Sequence, residues 1–120
     1  MVKIYVDADA CPVKYEVEKI ATRHNLTTYL VCDRGIRPSL NSLIQLIVVS
    51  QAVDAADNWI EDYIERADIC VTNDIPLAAR CLKKDAFVIQ PNGNIFTNDN
   101  IVMAIATRSI MQIIVKLAKW

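Results

Sequence analysis

Five aspartates, Asp7, Asp9, Asp54, Asp57 and Asp74, are the residues of this chain whose type and spacing suit chemistry. Carboxylates gathered at one point repel each other, and a cation that favours hard oxygen ligands, Mg2+ or Mn2+, offsets the repulsion. Beside a phosphoester such an ion activates water and stabilises developing negative charge. Taken singly, Asp54 and Asp74 read equally well as helix caps, where Asp satisfies free N–H groups and complements the dipole. Asp7 is harder to explain structurally, because a carboxylate ending a buried strand is costly without a partner.

The elements that position these acids follow from the pattern of apolar residues. Val2–Val6, Thr27–Cys32, Leu46–Val49, Ile69–Thr72 and Phe87–Ile89 read as five strands. The unbroken apolar run of the third predicts burial on both faces. Helical spacing links Val13, Val17, Ile20 and Ala21 after Pro12, then Ala56, Trp59, Ile60, Tyr63 and Ile64, then the stretch from Pro76 to Lys84. Asp33 to Asn41, with Gly35 and Pro38, reads as an irregular loop. The Pro91-Asn92-Gly93-Asn94 turn leads to a closing helix capped by Asn98 or Asp99. Strands alternating with helices predict an α/β fold: a three-layer α/β/α sandwich with a mainly parallel sheet of about five strands. Parallel sheets bind ligands at the carboxyl ends of their strands. Asp7 and Asp9 follow the first strand, Asp54 and Asp57 the third, and Asp74 the fourth, so right-handed crossovers bring all five to one edge.

At 120 residues, 53% hydrophobic, with two Gly and four Pro, the chain reads as a single domain over 1–120 and excludes a disordered or collagenous protein. A net charge of -1 excludes a global field that attracts nucleic acid, so such a partner needs a local basic patch or metal ions. Lys14, Arg34 and Arg37 are the candidate backbone contacts at the rim, with solvated surface charge as the competing reading. The four cysteines, Cys11, Cys32, Cys70 and Cys81, form no C-x-x-C, and His24 fits no zinc spacing. Cys32 and Cys70 read as core residues, and reduced thiols suit a cytoplasmic protein. Cys11, near a helix start, reads as structural or substrate-lining rather than nucleophilic, since no His stands near it in sequence. Asp7 and Asp9 interrupt any signal-peptide core, and Arg108, Gln112 and Lys116 break the apolar stretch from Ile101 to Ala118 at helical spacing. That stretch reads as an amphipathic helix and not a membrane span. Its Ile110, Ile113, Ile114, Leu117 and Trp120 suit the chain's own sheet or a homo-oligomer contact.

Three chemistries use acids at this edge. A response-regulator receiver needs a Lys after the fifth strand, where this chain has Gln90-Pro91. A D-x-D phosphatase matches Asp7-Ala8-Asp9 but needs a second late acid that Thr72-Asn73-Asp74-Ile75-Pro76 does not supply. A PIN-type metal nuclease has its acids after strand one, at the helix after the middle strands and after a hydrophobic-Thr-x-Asp strand, and this order fits throughout.

Val6-Asp7-Ala8-Asp9-Ala10-Cys11-Pro12-Val13-Lys14, Val53-Asp54-Ala55-Ala56-Asp57-Asn58 and Thr72-Asn73-Asp74-Ile75-Pro76-Leu77-Ala78-Ala79 resemble the three signature blocks of the YaiI/YqxD family, small bacterial proteins grouped by similarity with PIN-like nuclease domains. The resemblance runs from about Lys3 to Met111. It departs at Asn92, where Arg is usual, at Ala52, where Gly is common, and at Asp33, where Asn is usual. The resemblance implies a PIN-like domain in which Asp7, Asp57 and Asp74 are metal ligands, with Asp9 and Asp54 as alternative or supporting acids. It implies Mg2+- or Mn2+-dependent phosphodiester hydrolysis, with RNA as the expected partner. A non-catalytic PIN-like interaction module is the alternative, and a D-x-D phosphatase a further one.

Overall fold

The computed structural model describes residues 2–8, 14–33 and 41–107, together with the backbone of the helix that starts at Lys14. Strand β1 (Ile4–Asp7) leads to α1 (Lys14–His24) and β2 (Thr28–Cys32); β3 (Ile44–Val48) leads to α2 (Ala55–Tyr63) and β4 (Ile69–Val71). Helix α3 (Ile75–Lys83), β5 (Phe87–Ile89) and β6 (Ile95–Phe96) follow, and a last helix, α4, is described over 98–107. Among the described residues the sheet has six strands in the order β3-β2-β1-β4-β5-β6. Strands β1 to β5 are parallel and β6 is antiparallel to β5.

The three-layer sandwich is as expected, with one strand more than expected. Ile95-Phe96 is too short to show alternation, but it pairs through Ile89–Ile95 and Val88–Phe96 across the turn that Gly93 opens at φ 92. Period-two alternation in the strands divides the core. On one face Val17 and Ala21 of α1 pack against Ile4, Val6, Leu30, Ile44 and Val71. On the other, Ile60 of α2 and Ile64 just past its end, Leu77 and Cys81 of α3 and Ile101 of α4 cover Tyr5, Val31, Cys70 and Val88.

The third strand corrects the expectation of burial on both faces. As the edge of the sheet it has one neighbour, and its burial falls away from Ile44 to Val48, which is 58% exposed. An apolar run marks a strand but does not distinguish edge from centre. Cys32, Cys70 and Cys81 are buried in the core, as expected for the first two. Among the described residues no helix is long and apolar enough to cross a membrane. The proposed contact surface at Ile110, Ile113, Ile114, Leu117 and Trp120 lies outside the described residues.

Candidate acidic site

Strand order reverses between β1 and β4: the chain steps from β1 outward to β3, then crosses back over β1. At such a switch point the two connections leave in opposite directions and a crevice opens beyond the strand ends. A cleft of about 220 Å3 lies there, lined by Asp7, Asp33, Asp54, Asp57 and Asp74 with Ser50 and the small Ala52, Ala55 and Ala56. Four of the five sequence-nominated aspartates are therefore together.

Asp7 ends the central strand and is 6% exposed. Buried Thr72 donates its hydroxyl to Asp7 Oδ2 at 3.1 Å, and Thr72 Oγ1 accepts the Asp74 N–H at 2.9 Å. One threonine thus fixes two acids carried by neighbouring strands. Asp74 caps α3, its Oδ1 accepting the Leu77 N–H at 3.0 Å, and Pro76 stands in the first turn where a missing N–H is harmless. The capping reading of Asp74 holds.

For Asp54 the capping reading fails. It stands at the start of α2 with left-handed backbone, φ 63, and its side chain makes no capping hydrogen bond. Left-handed φ is tolerated by Asp better than by most residues, and the carboxylate is left on the cleft wall.

Asp57 is the unusual member. It lies in the first turn of α2, is 8% exposed, and among the described residues its carboxylate has no hydrogen-bond partner. Burial, then the charges of Asp74, Asp7 and Asp54, push its pKa from 3.8 up to about 6, against the opposing field of Arg80. A buried acid without donors, facing three like charges, is in an unfavourable place for an anion.

Asp33, directly after β2, was not nominated from the sequence. The rule that located the others also points to it, since β2 pairs with β1 and its carboxyl end faces the same crevice. Asp9, Cys11, Arg34 and Arg37 lie outside the described residues, as does the side chain of Lys14. Among the described residues, no cation lines the cleft.

Carboxylate oxygens without Cys or His are a donor set that hard divalent cations take. Asp7, Asp57 and Asp74, with Asp54 at the rim, are the residues that suit one by chemistry. As they stand, no group of three or more His, Cys, Asp or Glu among the described residues forms a ready metal site.

Fold and cleft together define a class: a doubly wound α/β domain with an acid-lined crevice at its switch point. The chain belongs to the family described as Uncharacterized BCR, YaiI/YqxD family, whose model matches residues 5–117. It is 50% identical over 107 residues to a UPF0178 protein of Rhizobium etli, covering 89% of this chain and 69% of that one. A UPF0178 protein of Rhodospirillum centenum is 46% identical over 119 residues, 99% of this chain and 77% of the relative. One from Cereibacter sphaeroides is 48% identical over 111 residues, 92% and 69% of the two chains. No solved structure matches at the same standard.

Proposed function

We propose that the cleft binds a divalent cation, Mg2+ or Mn2+, and that the protein is a metal-dependent phosphodiesterase acting on RNA. The observation that carries this reading is Asp57: a carboxyl 8% exposed, unpartnered among the described residues, and raised to about 6 by burial and three neighbouring acids. Such a group is an unfavourable structural element and a sensible ligand. Asp7, Asp57 and Asp74 would hold the ion, with Asp9 and Asp54 as supporting acids. A bound ion supplies an activated water and neutralises charge on a phosphodiester.

The chain's own residues supply the rest. Thr72 keeps Asp7 and Asp74 in fixed relation. The small side chains of Ala52, Ala55 and Ala56 leave the crevice open to a polymer backbone. Lys14, Arg34 and Arg37 are the proposed phosphate contacts.

Calorimetric titration with Mn2+, on the wild type and on Asp7→Asn, tests the reading. Binding in the wild type and its loss in the variant are expected, together with metal-dependent cleavage of a single-stranded RNA oligomer. The absence of a ready metal group among the described residues favours a second reading, a non-catalytic interaction module. No Mn2+ affinity in the wild type, or equal affinity in both proteins, decides for that module.

A further inference from the structure

The first turn of α2 carries Asp57, yet it begins at an Asp54 that makes no side-chain cap. The corresponding turn of α3 is secured by Asp74 on Leu77 and by Thr72 on Asp74. What ties the α2 turn to this secured part is Arg80 of α3. Its guanidinium donates through Nη2 to Asn58 Oδ1 at 2.6 Å and through Nε to the Glu61 carboxylate, with which it forms an ion pair. Lys84 adds a bond from its ammonium to the Glu61 carbonyl. Asn58 is the residue next to Asp57, so the fork of Arg80 holds two side chains of the helix that presents the buried acid.

We propose that Arg80 is a positioning residue of the acidic cleft, holding the Asp57-bearing turn of α2 in register with Asp74 and, through Thr72, with Asp7. The inference rests on the metal-binding reading. A guanidinium is suited to the task, since its planar donors reach two acceptors a helical turn apart in one geometry. The ion pair with Glu61 is partly exposed, at 32% and 35% for the two side chains, so its direct contribution to stability is small. Its value lies in fixing geometry, as it does for groups that orient metal ligands from behind.

The proposal can be tested by the sign of an effect. Electrostatics alone predicts that removing a cation beside four acids lets Mn2+ bind more tightly. Positioning predicts the opposite. Mn2+ affinity is measured by calorimetry on the wild type, Arg80→Met, Arg80→Lys and Asn58→Ala, well below each melting transition, where a residue that only stabilises the fold leaves no mark. Arg80→Met is expected to weaken binding about tenfold. Arg80→Lys, which keeps the charge and loses the fork, is expected to weaken it too, and Asn58→Ala, an exposed site, to do so by a smaller factor. Unchanged or tighter binding in Arg80→Met, or wild-type affinity in Arg80→Lys, overturns the proposal. If Arg80→Met does not fold, Asn58→Ala decides on the same criterion. A wild type that binds no Mn2+ refutes the metal reading itself, and the inference falls with it.

Discussion

The hydroxyl of Thr72 and the carboxylate of Asp7 stand 3.1 Å apart in the interior of the sheet, joining residues 65 positions distant in sequence. The bond runs from the residue just past β4 to the last residue of the adjacent β1, and Thr72 also accepts from the Asp74 N–H. Thr72→Val keeps the shape and removes both interactions, the hydroxyl donated to Asp7 and the acceptor of the Asp74 N–H. A loss of about 2–3 kcal/mol in chemical denaturation is expected, with Thr72→Ser retaining most of the stability.

Asp57 sets a pH dependence whose sign is fixed. Between 3.8 and about 6 the native state holds a proton that the unfolded chain has released. Stability from this group is therefore present at low pH and lost as pH rises through about 6. Asp57→Asn removes the penalty: it should stabilise the metal-free protein at pH 7 by on the order of 1–2 kcal/mol, discounted because the cleft is open to water. Thermal melts of both proteins at about pH 4 and about pH 7, near the low end of that window and above it, check this. An equal difference at both pH values counts against it.

The cap that Asp74 makes and the metal ligation proposed for it are separable. Asn is as good an N-cap as Asp, so Asp74→Asn should retain the fold's stability, whereas Asp74→Ala should cost about 1 kcal/mol. Both should lose Mn2+ affinity. A melting temperature for Asp74→Asn near that of the wild type, combined with a silent titration, is the expected pair of results.

A cation that binds only the folded protein raises its stability by mass action. Mn2+ at about a hundred times its dissociation constant should add about 2.7 kcal/mol to the wild type. It should add little to Asp7→Asn or Asp57→Asn. Thermal shift measured with and without a chelator reads the difference.

Asp68 shows that a buried aspartate need not belong to a site. It is 2% exposed, and its two oxygens accept the N–H groups of Lys3 and Glu65 at 3.0 and 2.9 Å. It lies just before β4, at the opposite end of the strand from the cleft. Asp68→Ala should cost about 2 kcal/mol in urea denaturation and leave Mn2+ affinity unchanged.

Much of this was legible in the sequence because period and position carry it. Phe87–Ile89 is a strand from its apolar run alone, and Asp7, Asp57 and Asp74 fall after strands whose carboxyl ends must share an edge. What was not legible depends on neighbours. Whether Leu46 and Val48 are covered depends on which strands flank β3, and local pattern does not report strand order. Asp33 belongs to the cleft because β2 lies beside β1, a fact of pairing. The backbone of Asp54 turned left-handed where a helix cap was expected, so its side chain lies on the cleft wall.

The pairings of β1 with its two neighbours are parallel, and among the described residues the only antiparallel pairing in the sheet is β5 with β6. No hairpin can therefore assemble the central strands early; each must wait for a crossover to close. The acids of the cleft first meet when β1, β2 and β4 are all docked. The site has no existence in a half-folded chain, and its appearance in refolding should coincide with completion of the sheet.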